Sequence, residues 1–240
     1  MRFWEIEELP STSKILSPEE KACEEHFSSN KTRDASGRYV VRLPFNEKIH
    51  LLGNSYSTAL KRFSHLESRL HKDPKLLKDY STFLTEYEQL KHMSISQESD
   101  INSGFYLPHH AVIKADSTTT KTQVVFDGSC KTSTGISLND TLMVGPKLQD
   151  NLFVILIRYR SHIYALTADI EKMYRQILVH PDDVKYQKIL FRESGDETIK
   201  IYTLNTVTYG TSAGSYLAIK SLQQLGKDKR KSYPNASVVL

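Results

Sequence analysis

Asp169 stands in the run Tyr164-Ala165-Leu166-Thr167-Ala168-Asp169-Ile170-Glu171-Lys172-Met173-Tyr174. The apolar residues ahead of it read as a short strand that delivers one carboxylate to its C-terminal end, and a tyrosine follows five residues later. That layout suits a metal-binding acid beside a nucleotide pocket, or an ordinary acid at a strand end. Two-metal phosphoryl transfer needs further carboxylates to hold two ions about 3.5–4 Å apart. Asp182-Asp183 follows His180-Pro181 and reads as a solvated turn rather than the missing pair. Glu171 could in principle assist Asp169 but is not counted as its partner. Adjacent strand side chains point apart at His109-His110, which favours structural use over a metal site. Lys114 and Lys121 read either as phosphate contacts or as exposed hairpin charges, and the run Lys227 to Lys231 as a solvated basic tail. Phe153, Tyr159 and Tyr164 read as core rather than as stacking platforms for bases.

The elements that would hold these residues fall into two halves. In residues 1–100, Ser17-Pro18-Glu19-Glu20 has the form of a helix start with a capping box. Arg38 to Phe45 alternates as a strand. Two amphipathic helices follow, one with Tyr56, Leu60, Phe63, Leu66 and Leu70 on a face, the other starting at Asp73-Pro74 with Leu77, Tyr80, Leu84, Tyr87 and Leu90. Together they read as a helical hairpin that buries its stripe against itself or a partner. Ser94 to Gly104 is polar and reads as a linker. In residues 101–240, His110–Lys114 and Thr122–Asp127 bracket Ser117 to Thr120 as a β-hairpin. Pro146 is expected to open a helix carrying Leu148, Leu152, Ile155 and Tyr159. A short helix is expected over 172–177, strands over 187–191 and 199–204, and a last helix from about Ser212 to Leu225. The fold class is α/β in the α+β sense.

The 240 residues carry 32 basic and 28 acidic side chains, a net charge of +4, which permits contact with a nucleic-acid backbone without demanding it. Only Cys23 and Cys130 are present, in no metal-ligating spacing, so no disulfide framework is indicated and an intracellular, cytoplasmic setting is expected. The start is acidic where a signal peptide is apolar. The most hydrophobic run, Leu152 to Ile157, ends at Arg158, far short of the ~20 residues a bilayer requires. No membrane contact is expected.

Several blocks together resemble the polyprotein of Pao/BEL-type long-terminal-repeat retrotransposons. Tyr106-Leu107-Pro108-His109-His110-Ala111-Val112-Ile113-Lys114, Val124-Val125-Phe126-Asp127, Ser137-Leu138-Asn139-Asp140, Gly145 to Asp150, the Asp169 run and Thr206 to Thr211 match its reverse transcriptase. Residues 1–100, most clearly Gly37 to Phe45, resemble the connector between protease and polymerase. The resemblance implies reverse-transcriptase-like fingers and an incomplete palm, preceded by a mainly helical connector. It implies an RNA-directed DNA polymerase acting on an RNA or DNA template-primer and deoxynucleoside triphosphates, with Mg²⁺ as cofactor. By position, Asp169 resembles the first metal-binding aspartate, and Ile170 would offer its backbone carbonyl to the same metal. Tyr174 resembles the aromatic that rejects a ribose 2′-hydroxyl. Lys114 resembles a lysine that neutralises the triphosphate, and Tyr209-Gly210 a segment beside the nascent base pair.

Three departures qualify what the resemblance implies. Gln123 stands where the family carries an arginine able to grip phosphate bidentately. Gly214-Ser215 replaces an Ala-Pro pair, which should loosen the start of the last helix. No Tyr-x-Asp-Asp hairpin follows that helix before Ser237-Val238-Val239-Leu240. The expectation is a truncated reverse transcriptase domain, inactive as this chain alone. The alternative is a non-catalytic remnant that binds nucleic acid, or a partner protein through the helices of residues 55–91.

Overall fold

A computed structural model describes residues 15–97, 100–113 and 122–234. Lys114, Lys121, the turn at Ser117 to Thr120 and the segment Ser237 to Leu240 lie outside the described residues. The chain is mixed helix and strand, as expected.

Helix α1 (Pro18–Asn30) begins with the anticipated capping box. The Glu20 backbone N–H donates to the Ser17 hydroxyl at 3.2 Å, and the Ser17 N–H donates to the Glu20 carboxylate at 2.8 Å. Strands β1 (Thr32–Arg33) and β2 (Tyr39–Val41) follow. Helices α2 (Tyr56–Leu70) and α3 (Pro74–Gln89) then form the expected hairpin, with the Asp73 side chain capping α3. Their buried faces are Ala59, Phe63, Leu66, Leu70 and Leu76, Tyr80, Leu84, Tyr87. Leu90, expected on the stripe, is instead the residue that caps the end of α3 and is 43% exposed.

Strand β3 (Met93–Ile95) overlaps the start of the stretch, Ser94 to Gly104, that reads as a linker. It pairs antiparallel with β8, defined below as Lys200–Leu204, with Met93 opposite Leu204. A serine-rich composition hid this strand because only Met93 faces inward. Strands β4 (His109–Ile113) and β5 (Thr122–Phe126) form the expected antiparallel pair, His109 opposite Phe126. Helix α4 (Leu152–Arg160) starts at Leu152 rather than at Pro146, with the Asn151 side chain accepting from the Phe153 N–H. Residues 145–150 form a loop instead, since Gly145 has φ +76° and a Cβ there would meet the Tyr216 ring at 2.4 Å.

Strands β6 (Leu178–Val179), β7 (Lys188–Phe191) and β8 (Lys200–Leu204) and helix α5 (Gly214–Lys229) follow among the described residues. The sheets are ordered β1-β2-β6 and β3-β8-β7, with β4-β5 apart. In the first, β2 runs parallel to β6, Val41 opposite Val179. One buried cluster runs from Cys23 on α1 to Ala218 on α5, with α2 and α3 packed over β7, β4 and β5. Side chains such as Tyr80 and Leu84, fully removed from water, each contribute about 1.5–3 kcal/mol to this core.

Asp183 is a correction to its reading as a solvated turn. Its carboxylate is 5% exposed, receives two N–H groups of Arg42 at 2.7 and 3.1 Å, and accepts from the Leu43 backbone at 2.9 Å. It ties β2 to the turn before β7, while Asp182 remains exposed. Both cysteines are free, and among the described residues no helix is long and apolar enough to cross a membrane.

Candidate nucleotide-binding site

Four sequence blocks that lie far apart converge at the turn after β8. Gly210 adopts φ +93°, and a Cβ there would lie 2.0 Å from the Phe126 carbonyl oxygen at the end of β5. Only glycine lets the two backbones approach so closely. Tyr209, just before it, donates its hydroxyl to the Val124 carbonyl at 2.5 Å and packs its ring 5.6 Å from Phe126. Its phenol is held above its ordinary value by burial, which outweighs the opposing effects of Arg175, Tyr87 and Gln123. Gln123 is half-buried on β5, next in the chain to the Val124 carbonyl that Tyr209 binds.

Tyr174 lies in a single 3-10 turn, Met173–Gln176, entered through Lys172 in the left-handed conformation at φ +52°. An ion pair from Lys172 to Glu86 at 2.7 Å on α3 braces this strained residue. The Tyr174 ring meets Tyr209 edge-on at 6.4 Å, and its hydroxyl is 2.9 Å from the Ser215 hydroxyl. Tyr174, Tyr209, Gly210 and Gln123 thus form one neighbourhood.

Three residues that support this neighbourhood were not singled out from the sequence. Asn139 donates to the Gly210 carbonyl at 3.2 Å and to Ser129 at 2.9 Å, while its side-chain oxygen accepts from the Ser212 N–H at 2.8 Å. Its amide thereby clamps the Gly210 turn to the loop after β5. Arg175 spreads over Tyr87 at 4.7 Å and Phe83 at 5.6 Å, next to Tyr174. Arg38 in turn donates to the Arg175 and Gln176 carbonyls, fixing the 3-10 turn against β2. The signal for Asn139 was its position in a resembling block. Nothing in the sequence marks the partners of Arg175.

Gly214-Ser215 packs closely against its neighbours. A Cβ on Gly214 would lie 2.8 Å from the Thr208 carbonyl oxygen and 3.4 Å from the Tyr174 ring, and Ser215 supplies the Tyr174 hydrogen bond. No side chain caps α5 at Ala213.

Asp169 and Ile170 are placed differently from the strand expected for them. Residues 165–170 pair with no strand, Asp169 is exposed and Ile170 is 42% exposed. Phe153 and Tyr164, expected in the core, are 68% and 88% exposed; Tyr159 is half-buried and donates to the Leu166 carbonyl at 2.6 Å. The run 163–170 is apolar enough for a central strand, yet no neighbouring strand among the described residues accepts its hydrogen bonds.

Mg²⁺ retains water readily and is held by several oxygens, so a lone carboxylate is a weak site. Among the described residues no three or more His, Cys, Asp or Glu side chains gather as a metal centre would require. The donor set described around Asp169 does not fit a two-ion centre. The arrangement can instead present a half-buried aromatic face, with backbone and amide groups, to a flat or phosphate-bearing ligand. Comparison with protein-family models and with curated proteins finds no match.

Proposed function

We propose that this chain is the connector, fingers and first part of the palm of a Pao/BEL-type reverse transcriptase, a family whose activity is the templated addition of deoxynucleotides. The supporting observation is the convergence of Gln123, Tyr174 and Tyr209-Gly210 on one neighbourhood from three separate segments. These are the residues for which the resemblance implies contact with the incoming nucleotide. In that reading Tyr174 sits where its ring would crowd a 2′-hydroxyl, and Gly210 keeps the turn close enough to Phe126 for a base pair to lie against it.

A non-catalytic nucleic-acid-binding role is the second reading, favoured by the exposed, unpaired segment that carries Asp169. Both readings expect no polymerisation by the isolated chain. Purified protein with a primed RNA template, Mg²⁺ and labelled deoxynucleotides should give no extension above a no-enzyme control. Incorporation that disappears in Asp169→Asn would overturn this and restore a catalytic role.

A further inference from the structure

We propose that the outer face of α2 and strand β4 form a second site, a phosphate-binding pocket built from Arg62, His65, Arg69 and His110. These residues line a cavity of about 240 Å³, large enough for one phosphate group with its neighbouring waters. Arg62, His65 and Arg69 are spaced three and four residues apart, so they form one row along the helix. Leu66 and His109 form the wall beneath them. Leu66 is buried in the core, and the His109 ring is fixed by Tyr80 and by the Leu190 carbonyl at 2.9 Å. The row is therefore carried on a rigid surface.

The charge in this pocket is not cancelled from within α2. Glu67 is the only acid in that helix, and both of its oxygens are taken by Arg192, at 2.7 and 2.8 Å. Asp127 binds a single N–H of Arg62, at 2.6 Å, which orients the guanidinium while leaving it other donors. His110 completes the lining from β4. Two guanidinium groups with His65 and His110 around one cavity favour a ligand carrying anionic oxygens. Guanidinium forks match phosphate geometry, which selects that chemical class. The phosphate could belong to a nucleic-acid backbone or to a free phosphate or nucleotide.

The full chain, titrated with inorganic phosphate by calorimetry and with a labelled oligonucleotide by fluorescence anisotropy, tests the site. The comparison is wild type against His65→Ala/Arg69→Ala, both positions being exposed. Loss of at least about tenfold in oligonucleotide affinity, with a salt slope shallower by about one, assigns the pocket to a phosphodiester backbone. Loss of phosphate binding alone assigns it to free phosphate. Unchanged affinity for both ligands, or no binding of either to wild type, overturns the proposal. A Tyr174→Ala variant run alongside reads the other face, so either site can fail independently.

Discussion

Gly210 and Gly37 separate two costs that are often merged. Both have positive φ, +93° and +87°, but a Cβ on Gly37 meets nothing within 4 Å, whereas one on Gly210 meets the Phe126 carbonyl at 2.0 Å. Gly37→Ala should cost only the backbone strain of about 1–2 kcal/mol. Gly210→Ala should cost about 3 kcal/mol or more, because the clash with Phe126 adds to that strain. Urea unfolding of the two variants measures the difference; equal losses would mean that the close approach to Phe126 carries no weight. His109 sets a second expectation. A carbonyl can only accept, so Nε2–H donates to Leu190 and Nδ1 accepts from the Tyr80 hydroxyl, which fixes a neutral ring. Burial lowers its pKa from 6.5 to about 4, and His92 is lowered to about 4 in the same direction. The unfolded state therefore binds more protons between those values, so stability is full above about pH 6.5 and falls as pH drops toward 4. His109 alone should account for up to about 3 kcal/mol of that loss. Melting temperatures between pH 7.5 and 4.5 should show the fall, and His109→Gln should flatten it.

At the level of elements, what the sequence carried well was local. The capping box at Ser17, the α2–α3 stripes and the β4–β5 pair follow from spacing and turn chemistry that act within about fifteen residues. What it carried poorly depends on distant partners. An apolar run such as 163–168 reads as a strand by composition, but a strand needs a neighbour, and none among the described residues pairs with it. Asp183 looked solvated because its partners, Arg42 and Leu43, are about 140 residues away. Of the candidate site, the grouping of Tyr174, Tyr209 and Gly210 was legible through the resembling blocks, whereas the bracing by Asn139, Arg175 and Arg38 was not. Helix α4 is the element most at odds with its composition. Leu152, Phe153, Leu156 and Ile157 are each more than half exposed. Phe153→Ser and Leu156→Ser should therefore shift stability by no more than about 0.5 kcal/mol. Leu84→Ala, inside the core, should cost about 2–5 kcal/mol. A large loss from the α4 variants in chemical denaturation would mean that this helix is covered in solution.

At the scale of the whole molecule, the elements before and after residue 100 share one buried cluster. Strand β3 pairs with β8, β2 with β6, and α1 packs on α5 through Phe27 and Tyr216, whose rings are 6.2 Å apart. Such a core should unfold in one cooperative step. It also holds the Tyr174–Tyr209 face and the basic row of α2 on a common scaffold, which suits a chain that positions nucleic acid. The most direct test is equilibrium binding of a labelled RNA–DNA template-primer to the full chain, measured from low to physiological salt. Salt-dependent binding, weakened in Tyr174→Ala and strengthened several-fold with a salt slope steeper by about one in Gln123→Arg, is the expected result. Absence of binding at low salt, or binding indifferent to both substitutions, would contradict a nucleotide-binding role for this face.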